Sequence, residues 1–528
     1  MNPSRARAAA GLVAAGALAL TAAGAPATAA PAPFAVETAS VADIREALAE
    51  GRTTCRAIVR ESLRRIRAYD DRGPRLNAVL AVDRAALRTA AALDRSYRRS
   101  GPVGPLHCVP VLLKDNYDTA DLPTTAGSAA LEGAQPPDDA TTVARLRAAG
   151  AVVIGKANLH EFAVSGTTVS SLGGQTLNPY DLTRTPGGSS GGTGAGVAAG
   201  FAVLGTGSDT VNSIRSPASA NSLVGLRPTR GLVSRDGVVP VSSTQDAAGP
   251  ITRSVADAAA MLQVMAGYDP ADAATDVVRD VELPDYVAAL DAAPLAGARI
   301  GVVTDFVLEG ELYEPVNEVF RRARADLRRQ GATLVPVRLG ATAGELITAN
   351  DVQRFELEPL LEGYLATTDA PVDTLEEVLA TGLPHPSTLP ALTAADATGD
   401  GRTDPEYAAR LGRIADLRAR LGRLMDRRDL DLLAYPLQSR LVEPVAEGAQ
   451  RDRNGILAAL TGFPALTLPG GFSAPTDTAP LGVPVGVELL ARPFDEPLLL
   501  AAGHEYEQAT RHRRLPPTTP PLGSGYGR

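Results

Sequence analysis

The segment RTPGGSSGGTGAGVAAG, from Arg184 to Gly200, decides how this chain is interpreted. Seven of its seventeen residues are glycine, and Ser189 and Ser190 lie side by side near its centre. Glycine this dense marks backbone that turns sharply or that another group approaches closely. The glycines continue into the apolar stretch AGVAAGFAVLG, which is typical of a tightly packed buried helix and not of a polar linker. The two serines are therefore expected where a loop enters a helix.

Three other functions for this glycine-rich segment conflict with its context. A Walker phosphate loop needs a lysine directly after its last glycine, and none stands there. A dinucleotide fingerprint follows a strand, whereas the preceding NPYDLTRTP is typical of a loop. Ser189 and Ser190 each fit the GxSxG motif of α/β-hydrolases, with His504 as the available histidine. However, no apolar strand leads into the motif.

Composition limits the class of protein. The chain has 528 residues, of which 45% are hydrophobic and 21% charged, so it can bury a large core. Its net charge of -9 argues against a nucleic-acid-binding surface. The five histidines are scattered and form no metal-binding motif, so neither a metal nor another cofactor is expected. The sequence leaves open whether Cys55 and Cys108 pair as a disulfide or stay as packed thiols.

The first 29 residues have the pattern of a secretion signal. Arg5 and Arg7 precede an apolar stretch, Ala8 to Ala23, that is too short for an ordinary transmembrane helix. Ala27-Thr28-Ala29 then offers a small-residue cleavage site. We therefore expect residues 1–29 to be a signal peptide and the mature protein to be secreted and extracellular, without a stable membrane anchor.

Helical and strand patterns alternate along the rest of the chain. The segment DDATTVARLRAAG is helical in pattern and AVVIGK is strand-like, and ARIGVVT, EPVNEVFRRARADLRRQG and ATLVPVRL repeat the alternation. This predicts an α/β fold over residues 30–514, a single large domain whose central mixed, twisted sheet is covered by helices on both faces. A helical insertion is expected at about 352–426, and the tail 515–528 is expected to be flexible.

Lysine usage singles out one position. All but two of the 51 basic residues are arginine, the exceptions being Lys114 and Lys156. Arginine keeps its proton at any workable pH, whereas a desolvated lysine can lose it. Lys114 ends the apolar run VPVLLK, so it is the candidate for a task that needs a removable proton. Lys156 has no serine-bearing loop of its own, and a structural role is predicted for it.

Six segments follow one another along the chain and are informative as a set. They are GPLHCVPVLLKDN, TTAGS, ATTVARLRAAGAVVIGKANLHEFA, LNPYDLTRTPGGSSGGTGAGVAAG, GTGSDTVNSIRSPAS and LVGLRPTRGLVSRDGVVPVSSTQDAAGPITRSVADAA. Together they resemble the amidase signature family of serine hydrolases. The resemblance is dense over a core of about 101–262 and resumes around NGILAALTGFPALTLPGGF. It implies the amidase signature fold.

The resemblance also implies a role for each matching residue. Ser213 matches the nucleophile, Lys114 matches the general base, and Ser189 matches the serine that bridges them from a cis peptide. Such a base is needed because an unactivated serine hydroxyl is a poor nucleophile. The other implied members of the site are the backbone N–H groups of Thr210, Val211, Asn212 and Ser213 as an oxyanion hole, with Gly188, Ser190, Asp209 and Arg215 as supporting residues.

The chain departs from the family pattern just before the nucleophile. The family commonly has two glycines there, and this chain has Val211 and Asn212. A valine adopts a positive φ only at considerable cost, so the substitution bears directly on the geometry of the oxyanion hole. A smaller departure is Cys108, where glycine is common.

The leading hypothesis is a secreted amidase that hydrolyses a carboxylic amide through a serine acyl-enzyme. It implies a small-molecule or peptide amide as substrate, no cofactor, no nucleic acid, and a monomer or homodimer. One alternative is a catalytically inactive, amidase-like binding protein, suggested by Val211 and Asn212. The other is an amidotransferase A-type subunit, which works with partner proteins on charged tRNA. Aryl, fatty-acid, peptide and small aliphatic amides, and esters, all stay open as substrates.

Overall fold

An 11-stranded sheet organises the chain, and a separate two-stranded hairpin lies outside it. The computed structural model describes residues 34–523, so the predicted signal peptide lies outside the described residues. The strands are β1 (Val79–Val82), β2 (Pro110–Lys114), β3 (Val152–Ala157), β4 (Val169–Ser170), β5 (Gly174–Gln175), β6 (Leu204–Asp209), β7 (Val224–Arg227), β8 (Ala247–Thr252), β9 (Arg299–Val303), β10 (Thr333–Val337), β11 (Leu432–Pro436), β12 (Ala465–Phe472) and β13 (Pro484–Leu490).

Fifteen α-helices accompany these strands within residues 34–523. They are α1 (Val41–Ala49), α2 (Cys55–Tyr69), α3 (Ala86–Ser100), α4 (Thr141–Ala148), α5 (Gly191–Ala198), α6 (Arg215–Ala220), α7 (Val255–Met265), α8 (Glu314–Arg329), α9 (Ala343–Asn350), α10 (Gln353–Leu365), α11 (Leu375–Ala380), α12 (Leu389–Asp396), α13 (Pro405–Arg428), α14 (Ile456–Thr461) and α15 (Glu496–Thr510).

The order of the strands makes the large sheet mixed. It runs β1-β3-β2-β6-β8-β7-β12-β13-β11-β9-β10. The neighbours β3, β2 and β6 are parallel, as are β11, β9 and β10, whereas the strands between these two groups pair antiparallel. The predicted α/β fold with a central mixed sheet is therefore confirmed.

Helices cover both faces of the sheet. Helix α8 is amphipathic and buries Val316, Phe320, Ala323 and Leu327, which recur at helical spacing along one stripe. Helix α5 is different because every one of its residues is buried. A Cβ atom on Gly192 would come within 2.6 Å of the Ala78 carbonyl oxygen, so only glycine allows this close packing. The glycine-rich segment is thus a loop entering a buried helix, as predicted.

The segment between β10 and β11 is mainly helical and includes α10 to α13. Within residues 34–523, no helix combines the length and the apolarity needed to cross a membrane. The predicted flexible tail differs from the structure over its first residues. Two carbonyl oxygens of the tail accept hydrogen bonds from the buried Arg65, at 2.8 Å to Thr519 and 3.3 Å to Pro520. The tail is anchored there because these contacts satisfy a guanidinium that has no access to water.

Cys55 and Cys108 form a disulfide that the sequence left undecided. Cys55 begins α2, Cys108 lies just before β2, and their Cα atoms are 4.9 Å apart. The His107 ring lies beside the bond, with Nε2 3.7 Å from the Cys55 sulfur. The bridge closes a loop across a sequence separation of 53 residues, so it substantially reduces the conformational entropy of the unfolded chain.

Removing this disulfide is expected to lower the stability of the protein without abolishing its activity. The double variant Cys55→Ser, Cys108→Ser should lose about 2–4 kcal/mol of unfolding free energy, because the unfolded chain regains loop entropy. Thermal unfolding of variant and wild type, each under non-reducing conditions, measures the difference. Equal melting temperatures for the two proteins would show that the bridge does not form in the native protein.

Candidate active site

The candidate residues gather at one edge of the large sheet. Strands β2 and β6 are parallel neighbours, with Val111 opposite Leu204 and Leu112 opposite Gly205. Their carboxyl ends therefore meet at the same edge, which is where open α/β sheets bind ligands. Lys114 ends β2 and Asp209 ends β6. The beginnings of α5 and α6 bring the two serine-bearing loops to the same edge.

Lys114 is fully buried and contacts two hydroxyl groups. Its Nζ lies 2.7 Å from Ser189 Oγ and 2.7 Å from Ser208 Oγ. Among the described residues, no carboxylate forms an ion pair with it. Burial lowers the pKa of Lys114 to about 7, against an opposing effect of Asp209 and Asp246. A substantial share of Lys114 is therefore neutral near pH 7 and able to accept a proton.

Lys156 provides the contrast, because it is equally buried but paired. Its Nζ lies 3.1 Å from Asp115 Oδ1 and 2.9 Å from both Thr124 Oγ1 and the Pro123 carbonyl oxygen. The different surroundings of the two lysines agree with the different roles expected for them.

Ser189 is held through its backbone. The Gly188–Ser189 peptide bond is cis. The Ser189 carbonyl oxygen accepts hydrogen bonds from the His160 N–H at 2.9 Å and from Thr168 Oγ1 at 3.3 Å. A Cβ on Gly188 would lie 2.8 Å from the carbonyl carbon of Gly166, so the neighbouring loop leaves room only for glycine. Ser189 itself has no exposed surface and its hydroxyl is directed at Lys114.

His160 lies close to the Ser189 backbone but its ring is not placed to act as a base for Ser189. Its ring contacts Thr167 and Ser387, at 3.2 Å and 3.4 Å. Burial, together with the charges of His385, Lys114 and Arg453, lowers the pKa of His160 to about 3. Within residues 34–523, no histidine ring forms a hydrogen bond with the hydroxyl of Ser189 or Ser190. His504 lies on α15, where it faces Glu507. The histidine-dependent GxSxG arrangement is therefore not formed.

Ser213 lies in the loop between β6 and α6. It is 6% exposed, in contrast to Ser189 and Lys114, which have no exposed surface, so a ligand can reach it most directly. The Ser190 N–H donates to the Ser213 carbonyl oxygen at 3.3 Å, which places the two serine-bearing loops side by side. The described residues provide no hydrogen bond between the Ser189 and Ser213 hydroxyl groups.

The loop before Ser213 has its carbonyl groups occupied and its N–H groups free. The Gln245 side chain donates to the Thr210 carbonyl oxygen, and the Arg215 side chain donates to that of Val211. The Ser216 N–H donates to the Asn212 carbonyl oxygen, and the Ser190 N–H donates to that of Ser213. None of the four N–H groups of Thr210, Val211, Asn212 and Ser213 bonds to a described residue. Unpaired backbone N–H groups beside a serine are available to stabilise an oxyanion.

Val211 and Asn212 do not need the freedom of glycine. Neither residue has a positive φ. The absence of the two family glycines therefore does not conflict with the backbone conformation of this loop, because these φ angles are open to any residue. The two side chains still differ from glycine in bulk and, for Asn212, in polarity.

Asp209 and Arg215 belong to a larger buried ion network. Arg215 contacts Asp209 at 3.0 Å and Glu488 at 2.6 Å, and Arg227 contacts Asp209 at 2.8 Å. Burial raises the pKa of Asp209, but Arg215 and Arg227 outweigh this effect and lower it to about 2. Asp209 also accepts from the Ile214 N–H at 3.0 Å. The network thus fixes both ends of the loop that carries Ser213.

Sequence reasoning missed several of these partners. Glu488 lies 273 residues from Arg215 in sequence, and no local pattern links the two. Ser208 could have been found, because it stands directly before Asp209 in GTGSDT at the end of a strand. Thr168 was not singled out either, yet its hydroxyl donates to the Ser189 carbonyl oxygen.

A cavity of about 480 Å³ lies next to the loop that precedes Ser213. Its wall includes Ser208 and Thr210, and it extends to Tyr364 on α10, within the predicted insertion. Ser213 is not part of its wall. The cavity also borders five aspartates and one arginine, Asp118, Asp138, Asp236, Asp246, Asp272 and Arg235, which give it an acidic lining.

Comparison with known proteins places this geometry in a family. The Amidase family model matches residues 57–500. The solved peptide amidase from Stenotrophomonas maltophilia is 38% identical with a TM-score of 0.82, and the alignment covers 91% of this chain and 98% of that one.

Amidotransferase subunits are also similar to this chain. The A-type subunit of the glutamyl-tRNA(Gln) amidotransferase from Rhodopirellula baltica is 36% identical, over 91% of this chain and 98% of that protein. The solved A-type subunit of the Thermotoga maritima enzyme is 27% identical with a TM-score of 0.70, over 91% of this chain and 98% of that one. From the site geometry and these matches together, we conclude that this chain belongs to the amidase signature family.

Proposed function

We propose that this protein hydrolyses a carboxylic amide, with Ser213 as nucleophile, Ser189 as proton relay and Lys114 as general base. The observation that carries the proposal is the 2.7 Å contact of a buried Lys114, without a carboxylate partner, to the hydroxyl of Ser189. A lysine held in this way has a lowered pKa and can act as a base at neutral pH.

The proposed reaction uses the residues in sequence. Neutral Lys114 accepts a proton from Ser189, which accepts one from Ser213 as Ser213 attacks the amide carbonyl carbon. The free N–H groups of the loop donate to the developing oxyanion, an effect of roughly 3–4 kcal/mol for a key donor in other hydrolases. The proton returns through Ser189 to the leaving nitrogen. Water then hydrolyses the acyl-enzyme and restores Ser213.

An amidotransferase A-type subunit is the second candidate. Curated relatives with that name are 36% identical to this chain and aligned over 98% of their length, which favours this candidate. The peptide amidase favours hydrolysis by the chain alone, because it is the more similar of the two solved structures compared above. The inactive binding protein is disfavoured, because Lys114, Ser189 and Ser213 are all present and the loop donors are free.

The two candidates are separated by assaying the purified chain without partner proteins. We expect release of amine or ammonia from at least one member of a panel of peptide, aryl, fatty-acid and small aliphatic amides. Mass spectrometry of the products identifies the acid that is formed. If the chain is inert alone and becomes active only when proteins from its source are added, the amidotransferase candidate is correct and the proposal is wrong.

We propose further that the mature protein is secreted. The sequence pattern of residues 1–29 supports this, and so does the Cys55–Cys108 disulfide, because disulfides persist mainly in oxidising compartments. Expression in the native host should yield extracellular protein whose N-terminal sequence begins near Ala30. Recovery of only intact protein beginning at Met1, inside the cells, would refute secretion.

A further inference from the structure

Asn212 carries a buried side-chain amide with no partner. The residue has no exposed surface, and neither Oδ1 nor Nδ2 forms a hydrogen bond with a described residue. Seven other asparagines are buried, and the side chain of each makes at least one hydrogen bond: Asn116, Asn158, Asn178, Asn221, Asn317, Asn350 and Asn454. Asn212 is therefore an exception among the buried asparagines of residues 34–523.

The position of Asn212 makes this exception informative. It directly precedes Ser213, and its carbonyl oxygen already accepts a hydrogen bond from the Ser216 N–H at 2.6 Å. On the other side it packs closely on Gly455, where a Cβ atom would approach the Asn212 Cβ to 2.7 Å. The side-chain amide of Asn212 is therefore buried one residue away from Ser213, whose hydroxyl is the nucleophile in the proposed function.

Packing alone does not explain an asparagine at this place. Its φ is not positive, so the backbone does not select asparagine over alanine. Burying an unpaired amide is costly, so a small apolar residue would serve a purely structural role better. A polar side chain kept at such a cost beside a reacting group is expected to gain its partners from a ligand.

A carboxamide offers one acceptor and one donor side by side, and its natural complement is another amide. We propose that Asn212 is a specificity-determining residue that binds the amide of the substrate. Its Oδ1 accepts the N–H of the leaving nitrogen, and its Nδ2 donates to a substrate oxygen. This inference rests on the proposed function and extends it, because it predicts preference for amides that carry an N–H over esters of the same acid.

The test compares an amide with the ester of the same acid, using the amide that the panel identifies. In Asn212→Ala, kcat/KM for the amide should fall by about 10–100-fold, because the substrate N–H loses its acceptor. The loss of kcat/KM for the ester should be much smaller than the loss for the amide, so the ratio of amide to ester activity should fall. Asn212→Gly, which restores the residue common in the family, should behave in the same way and decides the matter if the alanine variant fails to fold.

The control is Asn454→Ala, because Asn454 is buried, directly precedes Gly455 and has a side-chain amide that already donates to the Phe306 and Pro436 carbonyl oxygens. It should lower stability and leave the ratio of amide to ester activity unchanged. Equal losses for amide and ester in both Asn212 variants, or no loss in either, would overturn the inference. If the wild type hydrolyses no amide at all, the proposed function has failed instead.

Discussion

Replacing Ser213 by alanine is expected to lower kcat/KM for amide hydrolysis by about 10⁴–10⁶-fold, the range seen when serine hydrolases lose their nucleophile. The fold should be unaffected, since the Ser213 hydroxyl makes no hydrogen bond with a described residue. Steady-state kinetics measure the loss, and circular dichroism with thermal unfolding measures the fold. The melting temperature should stay within a few degrees of the wild type.

The neighbouring serines give this experiment its controls. Ser190→Ala should cost far less activity, because the Ser190 hydroxyl only contacts the Ser208 carbonyl oxygen at 3.4 Å. Ser189→Ala should be nearly as damaging as Ser213→Ala, because it interrupts the proton path to Lys114. Retention of activity in Ser213→Ala with complete loss in Ser189→Ala would instead make Ser189 the nucleophile.

Lys114→Arg is expected to lower kcat/KM by about 10²–10⁴-fold, the usual contribution of a general base. Arginine keeps the positive charge but has no removable proton at workable pH. In the wild type, kcat/KM should rise with pH through an apparent pKa of about 7, because burial lowers the pKa of Lys114 to that value and only its neutral form accepts a proton. This rise should be absent from the variant.

Lys156→Arg is the matched control, because Lys156 is the other buried lysine and is paired with Asp115. Arginine can keep that ion pair, so activity should stay within about threefold and the pH profile should be unchanged. A wild-type profile that is flat from mildly acidic to mildly alkaline pH, together with full activity in Lys114→Arg, would refute the role of Lys114 as base.

The part of the fold that the sequence predicted follows from local patterns. The alternation of helix and strand is enough for an α/β sheet, and the glycines of α5 indicate close packing. The order of eleven strands is not local, because β12 and β13 insert between β7 and β11 through contacts that only the folded chain defines. The same limit applies to Cys55 and Cys108, which are 53 residues apart and meet only through the packing of α2 beside β2.

The candidate site was predictable where chemistry restricts the residue type. Lys114 stood out because the chain otherwise uses arginine, whereas Ser189 and Ser213 were assigned their places through the resemblance to the amidase signature family. The contacts that hold these residues were not predictable. Glu488 and Arg227 lie on distant strands and join the ion network beside the loop that carries Ser213, and Gln245 and Arg215 bind carbonyl groups of that loop.

Labelling the protein with a serine-directed fluorophosphonate, followed by peptide mass spectrometry of the modified residue, tests the proposed role of Ser213 most directly. We expect a single adduct on Ser213, absent from Ser213→Ala and formed much more slowly in Lys114→Arg. An adduct on Ser189, or labelling that persists in Ser213→Ala at the wild-type rate, would contradict that role.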